Sequence, residues 1–382
     1  MAGAEQGWDC WLRLDHVLEL TDGAGIIQHA TGAVPARDTG YCVDDVARLV
    51  VVAAGMHTRA GGQDPMARRL AVTGLAFLAD AIGSWEANGG LGMRNFMAWD
   101  RRWLDQPHLG DHVGRSFWAL GEAVAGFTDV EAIGGPALRW LRELLPVVPR
   151  LDSLHEWAYT ALGLSRALEA VAAGPARAEI EAGLETCLGA LEQRWHQHAT
   201  DQWPWPHPEL VYDNARLPQA MLAAGAALGR DELVERGQRC LDWLVQLSTG
   251  PGGVLHTIGN HWLVQGEQPG PFTGDEQPID GGAVVEALAE AHRVTGDDHR
   301  AQAASDALHW FLGRNRLGVV LYDLVTAGCH DGLGREAVNQ NQGAESTLAF
   351  LQAALAVERA GQSAPAAGRE GQADRGADAG DP

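Results

Sequence analysis

The chain contains no lysine, so its 28 basic residues are all arginine. This absence excludes Schiff-base chemistry on a lysine and the lysine of a phosphate-binding P-loop. The 50 acidic residues give a net charge of −22, which disfavours nucleic acid and anionic membranes as partners. No segment of the sequence is long and apolar enough to predict a membrane-spanning helix.

The five cysteines are scattered without a CxxC pair, which favours free thiols in a reducing compartment. The first residues show neither a basic start nor an apolar run, so no signal peptide is predicted and we expect a cytoplasmic protein. Cys329 and His330 are neighbours, but no second ligand pair follows at zinc spacing. We therefore predict no metal and no cofactor, and a metal-dependent enzyme using Cys329 and His330 is the least favoured alternative.

Six short polar clusters each run directly into an apolar segment of helical length. The clusters lie at 41–45, 111–115, 155–157, 212–216, 277–280 and 341–345. Segments that are apolar on all sides are typical of buried helices, whereas the segments between them mix charged and apolar residues as amphipathic helices do. Alternating inner and outer helices predict an all-α (α/α)6 barrel over residues 1–360.

The predicted connections between helices differ in length at the two ends of this barrel. Connections from an outer to an inner helix are long, as at 84–110 and 248–279, and connections in the other direction are short. The long loops must then emerge where the polar clusters begin the inner helices, and long loops concentrated on one face usually hold function. The tail at 361–382 has no large apolar residue and is predicted to be disordered.

Asp45, Glu345 and Asp44 are the predicted catalytic residues. One aspartate is enough to cap the first inner helix, which leaves the other available for chemistry. In a closed ring the sixth inner helix lies beside the first, so we expect Glu345 close to both aspartates. A carboxylate pair can supply the acid and the base of a glycosidase, and we assign Asp45 as base, Glu345 as acid and Asp44 as the orienting group.

Further polar and aromatic residues at the cluster-bearing end are predicted to hold a sugar. Loop tryptophans suit stacking on sugar rings, and polar side chains suit the hydroxyl groups. The predicted substrate-binding set is Asp213, Arg216, Tyr212, Trp203, Trp205, Glu156, His112, Arg115, Asp280, Asn341 and Gln342. Trp85, Trp99, Trp103 and Trp262 are further loop candidates. For a single Glu, Asp or His in the set, the alternative is a helix cap or a packed core residue.

Four strings of residues, at 25–29, 40–48, 212–220 and 341–348, resemble a bacterial group within the six-hairpin glycosidase-like superfamily. Members of this group often carry the name glycosyltransferase or are fused to one. The resemblance covers roughly residues 9–358 and implies an (α/α)6 toroid with a carbohydrate substrate. It does not decide between hydrolysis, phosphorolysis, epimerisation and binding alone, because fold does not fix the reaction.

These observations lead to one preferred hypothesis and two alternatives. The preferred hypothesis is a glycoside hydrolase that acts on an oligosaccharide through two carboxylates. The first alternative is a non-catalytic sugar-binding barrel that serves a separate glycosyltransferase. The second alternative is the metal-dependent (α/α)6 enzyme described above.

Overall fold

The computed structural model describes residues 10–87, 89–90, 92–268, 270 and 274–363, without the side chains of 84–86 and 363. The described residues form 12 α-helices, and short strands occur only in the connections between them. None of these helices combines the length and the apolarity needed to cross a membrane.

Six inner helices form a closed ring. They are α2 (Val43–Arg59), α4 (Asp111–Gly126), α6 (Leu154–Ala170), α8 (Arg216–Leu228), α10 (Pro278–Thr295) and α12 (Ala344–Ser363). Each packs on the next in this order, and α12 packs back on α2. The inner helices are buried nearly all round, as their continuous apolar sequences predict.

Six outer helices cover this ring. They are α1 (Asp15–Leu20), α3 (Pro65–Ala87), α5 (Glu131–Leu144), α7 (Pro175–His198), α9 (Asp231–Leu247) and α11 (Asp298–Leu308). Their burial is one-sided: α5 buries Ile133, Ala137, Leu141 and Leu144, which lie three or four residues apart. The predicted (α/α)6 barrel is thus confirmed.

Five two-stranded antiparallel sheets and three short 3-10 helices shape the connections. The sheets pair β1 (Ala30–Thr31) with β2 (Val34–Pro35), β3 (Tyr41–Cys42) with β4 (Phe96–Met97), β5 (Glu209–Leu210) with β6 (Leu263–Val264), β7 (Tyr322–Asp323) with β8 (Gly328–Cys329), and β9 (Gly332–Leu333) with β10 (Val338–Asn339). The 3-10 helices are Arg37–Thr39, Leu145–Arg150 and Pro251–Gly253. All five sheets lie in connections that lead into an inner helix, so the long loops share the end that we call the mouth.

Glycines allow two inner helices to approach closely. A Cβ atom on Gly121 would lie 1.9 Å from the carbonyl oxygen of Gly163, and one on Gly163 would lie 2.1 Å from that of Phe117. No side chain fits at these distances, so α4 and α6 pack backbone against backbone. This contact keeps the ring narrow below the mouth.

Three predicted helix positions differ from the structure. The mix of charged and apolar residues around 10–12 predicts that the first outer helix includes them, but they form a turn before α1. The sixth outer helix ends at Leu308, because the buried Trp310 and Phe311 leave the helix to pack in the core. Helix α12 continues to Ser363, so it includes the first three residues of the predicted tail, and 364–382 lie outside the described residues.

Candidate active site at the mouth of the barrel

Arg48 joins the carboxylates of the first and sixth inner helices. Asp45 lies in the first turn of α2 and accepts a hydrogen bond of 2.8 Å from Arg48 Nη1. Glu345 lies in the first turn of α12 and accepts one of 2.7 Å from Arg48 Nη2. Asp45 and Glu345 therefore share one buried guanidinium group, and ring closure brings α12 beside α2.

Asp45 is enclosed by its own helix start. Its second carboxylate oxygen accepts from the Cys42 thiol at 3.2 Å, and only 5% of the residue is exposed. Burial, which the charge of Arg48 only partly offsets, raises the pKa of Asp45 to about 6. Asp45 thus keeps its proton to a higher pH than an ordinary aspartate does, and solvent scarcely reaches its side chain.

Asp44 has a different environment although it is the next residue. Its Oδ2 accepts from Asn95 at 2.9 Å, and its Oδ1 lies 3.1 Å from Arg115 Nε. Its side chain is 21% exposed. Burial raises the pKa of Asp44, but the charges of Arg115 and Arg48 outweigh it, so the net pKa lies below the usual value. Asp44 is therefore an ionised carboxylate that substrate could reach.

Asp213 occupies the floor of the mouth, just before α8. It has a φ of 48°, a left-handed conformation that Asp adopts more readily than most residues. Its carboxylate accepts from the Tyr159 hydroxyl and, at 3.1 Å, from Arg216 Nε. Burial raises its pKa, but the charges of Arg216 and Arg115 lower it below the usual value. Asp213 is an ionised group with buried protein partners.

Asp280, in the first turn of α10, accepts a hydrogen bond of 2.5 Å from the backbone N–H of Asp213. Its other carboxyl oxygen has no hydrogen-bond partner among the described residues. Burial and the neighbouring charge of Asp213 raise the pKa of Asp280 well above its usual value. Asp280 therefore keeps its proton to a higher pH than an ordinary aspartate does.

Contacts link these carboxyl groups around the mouth. Arg115 connects two of them, since its Nη2 lies 3.8 Å from Asp213 and its Nε contacts Asp44. Asp280 is linked to Asp213 by the hydrogen bond that it accepts from the Asp213 backbone N–H, and Arg48 links Glu345 to Asp45. The five carboxyl groups expected around one cavity thus lie at one end of the barrel, with Asp44 and Asp280 on different helices.

Two histidines lie beside this ring of charges. His112 Nε2 contacts the carbonyl oxygen of Met93 at 3.1 Å, and His155 Nε2 contacts that of Tyr212 at 2.7 Å. Burial lowers the pKa of both imidazoles, so both are neutral at pH 7. Tyr212 stacks on His155 and bonds Asp111 through its hydroxyl, which gives it a positioning role.

Two residues that were predicted to bind substrate instead form hydrogen bonds within the protein. Glu156 accepts hydrogen bonds from the backbone N–H groups of Asp152 and Ser153, in a capping box with the Ser153 side chain. Arg216 is 2% exposed and donates to Asp213, Gln219 and Glu286. The structure therefore assigns Glu156 to helix capping and Arg216 to the floor of the mouth.

The predicted tryptophan platforms are also corrected. Trp203 is 6% and Trp205 is 2% exposed, and their indole N–H groups donate to backbone carbonyls. Both pack near Trp243 of α9, so they stabilise the loop rather than present a face to a sugar. Trp99 and Trp262, by contrast, are 53% and 49% exposed. Trp85 lies in α3 and its side chain is outside the described residues.

The side-chain amides of Asn341 and Gln342 form hydrogen bonds to neighbouring loop segments. Asn341 Oδ1 accepts from the backbone of Gly32 at 3.1 Å. Gln342 is 3% exposed and its Oε1 accepts from Thr326 at 2.8 Å. Because Gln342 is buried and bonded to another loop, we remove it from the predicted binding set, whereas the half-buried Asn341 stays a prediction.

The suggested metal ligands do not form a cluster. Cys329 is fully buried in β8, and burial raises the pKa of its thiol well above the usual value. Within the described part of the chain, no three His, Cys, Asp or Glu side chains are grouped as a metal would require. The pair Cys329 and His330 thus has no third partner there.

Sequence reasoning missed two central residues of the site. Arg48 follows Asp45 by three residues, and Tyr159 follows His155 by four, so each lies on the same helix face as a predicted residue. Tyr159 also stacks with Trp118 and lies under the Arg115 guanidinium at 4.2 Å. A charged or hydroxylated residue inside an otherwise apolar inner helix was the signal that would have found both.

No protein-family model matches the chain, and no curated protein sequence does either. Solved structures do match. D-mannose isomerase has a TM-score of 0.68 at 10% identity, covering 93% of this chain and 98% of that chain. Cellobiose 2-epimerase from Bacillus thermoamylovorans B4167 has a TM-score of 0.67 at 9% identity, with 91% and 96% covered.

An alpha-1,6-mannanase, GH76A of Salegentibacter sp. HEL1_6, is similar as well. Its inactive variant, with two consecutive aspartates substituted and alpha-1,6-mannotetrose bound, has a TM-score of 0.60 at 10% identity, covering 92% of this chain and 98% of that chain. These likenesses show that the chain has an (α/α)6 barrel fold. At such low identity they show the fold alone.

Proposed function

We propose that this protein is a carbohydrate-active enzyme that hydrolyses a glycosidic bond in an oligosaccharide. One contrast carries the proposal: the mouth holds a carboxyl group whose pKa is lowered by arginines, Asp44, and a buried one whose pKa is raised well above the usual value, Asp280. Glycosidases need one carboxyl group in each state at the scissile bond. The opposite pKa shifts have clear causes, namely the guanidinium groups around Asp44 and the buried, negatively charged surroundings of Asp280.

The geometry favours a different assignment of roles from the sequence prediction. Asp44 is the base, because it is ionised and more exposed than Asp45, whose oxygens are bound by Arg48 and Cys42. Asp280 is the acid, because its pKa is raised well above the usual value and one of its oxygens has no hydrogen bond to a described residue, whereas Glu345 is ion-paired with Arg48. Asp45 then positions Arg48.

The reaction balances with these two groups and water. Asp44 takes a proton from a water molecule, whose oxygen forms a bond to the anomeric carbon. The bond from this carbon to the leaving oxygen breaks, and Asp280 gives its proton to that oxygen. A single displacement of this kind inverts the anomeric configuration.

Groups around the mouth support sugar binding. Arg115 Nη1 is a buried donor without a hydrogen-bond partner among the described residues, and it can bind a sugar hydroxyl oxygen. Trp99 and Trp262 retain the exposure that stacking on a sugar ring requires. A separate cavity of about 190 Å³ is lined in part by His155, Trp205 and Asp213, so it borders the floor of the mouth.

The similar structures are consistent with this proposal. A pair of consecutive aspartates is substituted in the inactive mannanase variant that holds mannotetrose. Asp44 and Asp45 are consecutive and lie at the mouth. This parallel supports a carbohydrate substrate for the present chain, and the epimerases and the isomerase of the same fold support it too.

Epimerisation is the second candidate, and one observation favours it. His112 and His155 are neutral imidazoles at the mouth, and a neutral imidazole is a suitable base for removing a proton next to a carbonyl. In heavy water an epimerase incorporates solvent deuterium at a sugar carbon, whereas the proposed hydrolase leaves the carbon-bound hydrogens in place. Proton NMR of the products therefore separates the two reactions.

The test of the proposal is a screen of the purified protein against α- and β-linked manno-, gluco- and galacto-oligosaccharides, with and without phosphate. We expect cleavage without phosphate, and a first product of inverted anomeric configuration by NMR. Cleavage only with phosphate would replace hydrolysis by phosphorolysis. Saturable binding without any turnover would support the non-catalytic barrel that serves a glycosyltransferase.

A further inference from the structure

A second cavity lies inside the barrel at the end opposite the mouth. Its volume is about 410 Å³, and all six inner helices line it, from their middle towards their C-terminal ends. Its wall includes Val51, Glu122, Leu162, Ala223, Ala289 and Gln352. The exposed Gln362 lies at its rim, so the cavity opens to solvent at that end. We call it the lower chamber.

A layer of stacked side chains separates the lower chamber from the mouth. The Arg216 guanidinium lies 4.6 Å from the centre of the Trp118 ring, and Trp118 stacks with Tyr159. Arg115 covers Tyr159 in turn. All four side chains are at least nine-tenths buried, so a ligand in one compartment is screened from direct contact with the other.

The charged side chains that line the lower chamber are paired within the protein. Arg166 Nε lies 3.2 Å from Glu122 Oε1, and Arg216 Nη2 lies 2.8 Å from Glu286 Oε1. Arg293 donates to Glu290 of the preceding turn. A charged ligand would have to compete with these pairs, so the chamber favours a ligand without net charge.

The groups left without a partner are neutral donors and one acceptor. Gln352 is 4% exposed, and its Nε2 has no hydrogen-bond partner among the described residues although it is buried. The Oε1 of Gln219 accepts from Arg216 at 2.9 Å, which fixes the amide and leaves its Nε2 without a bond to a described residue. The second oxygen of Glu286 is likewise unbonded.

We propose that the lower chamber binds a neutral polyhydroxylated molecule of monosaccharide size. A sugar hydroxyl group can accept from the amides of Gln352 and Gln219 and donate to Glu286, which satisfies all three groups. The volume falls within the range of small-molecule sites, roughly 300–1,000 Å³. This site does not depend on the proposed reaction at the mouth.

The test uses the full chain and defined probes. Binding of D-glucose, D-mannose and myo-inositol is measured by ligand-observed NMR and titration, next to glucuronate and glucosamine as charged counterparts. We expect saturable binding of a neutral probe, weaker binding of its charged counterpart, and about five- to tenfold loss of affinity in Gln352→Met, the effect of one lost hydrogen bond. The matched control is Gln302→Met, since Gln302 is exposed on α11.

Two further variants separate a loss of binding in the lower chamber from misfolding and from a loss of catalysis at the mouth. Ala289→Leu narrows the chamber without removing a polar group, so it too should weaken binding. Asp44→Asn should leave this binding unchanged while it removes turnover at the mouth. The proposal is overturned if no neutral probe saturates, if Gln352→Met binds like Gln302→Met, or if Asp44→Asn abolishes the binding.

Discussion

The two ends of this barrel are built from the same six helices but differ in how their charges are arranged. The mouth holds five carboxyl groups at the N-terminal ends of the inner helices, Asp44, Asp45, Asp213, Asp280 and Glu345. The other end carries basic residues in the last turns of α2 and α10, such as Arg59 and Arg293. Helix dipoles favour this distribution, because a helix N-terminus stabilises negative charge and a C-terminus stabilises positive charge.

The ends differ also in how completely their charges are matched. In the lower chamber each described carboxylate has an arginine partner, for example Glu122 with Arg166. At the mouth Asp44 and Asp213 share Arg115, and Asp280 has no arginine partner among the described residues, so its pKa is raised well above the usual value. A surplus of carboxyl groups with separated pKa values suits acid–base chemistry, whereas matched charges suit binding of a neutral molecule.

The largest effect is expected from the acid and the base at the mouth. Asp44→Asn and Asp280→Asn should each lower turnover by about 10²–10⁴-fold on a substrate that the native protein cleaves, because each removes one proton transfer. The control is Asp306→Asn on the exposed side of α11, which should retain native turnover. Initial rates at saturating substrate give the comparison, and native rates in both mouth variants would contradict the assignment.

The layer between the two ends should be sensitive to loss of its arginine. Arg216→Met leaves the buried Asp213 and Glu286 without their partner, and we expect a loss of about 3–5 kcal/mol in the free energy of unfolding. The matched variant is Arg142→Met, whose partner Glu179 is exposed, and its loss should be much smaller, because solvent screens an exposed ion pair. Denaturant titrations measure both free energies of unfolding, and similar losses in the two variants would show that the buried contacts of Arg216 contribute no more to stability than an exposed ion pair does.

The raised pKa of Asp45 at the mouth should also change how the free energy of unfolding depends on pH. The folded-state pKa of Asp45 is raised to about 6, so its ionisation lowers the free energy of unfolding as pH rises from about 4 through 6. Asp45→Asn should remove this decline, with a relative gain of up to about 3 kcal/mol above pH 6. Thermal unfolding from pH 4 to pH 8 checks the prediction.

Asp44→Asn supplies the contrasting case for the same measurement. The pKa of Asp44 is lowered in the folded state, so its charge stabilises the protein above the ordinary aspartate pKa and this contribution is lost as pH falls. The two variants should therefore change the pH profile in opposite directions. Parallel profiles would argue against separate environments for the two neighbours.

The smallest effect is expected from the C-terminal tail. Deleting residues 364–382, which follow α12 at the lower end, should leave the melting temperature, turnover at the mouth and sugar binding near their native values. The reason is a composition with no large apolar side chain to bury. Calorimetry on the shortened chain is the measurement, and a drop of several degrees would show that the tail packs on the barrel.

The order of inner and outer helices could be predicted from the sequence, because the local spacing of apolar residues indicates which faces of each helix are buried. Residues 46–54 are apolar on every side except at Arg48, whereas α5 has apolar residues along one side only, so inner and outer helices were distinguishable. The positions of the carboxyl groups followed, since a polar cluster at a helix start stays at that end of the ring. The approach of α12 to α2 followed from ring closure.

What each side chain does at the mouth was decided by tertiary structure. Arg48 meets Glu345 from 297 positions away, and Asp213 meets Asp280 from 67 positions away. Neither pairing has a local signature, because hydrogen-bond partners depend on which loop ends face one another after the ring closes. The sequence determined that carboxyl groups collect at one end of a barrel; only the packed structure decided which aspartates have a raised and which a lowered pKa, because burial and arginine contacts set these values.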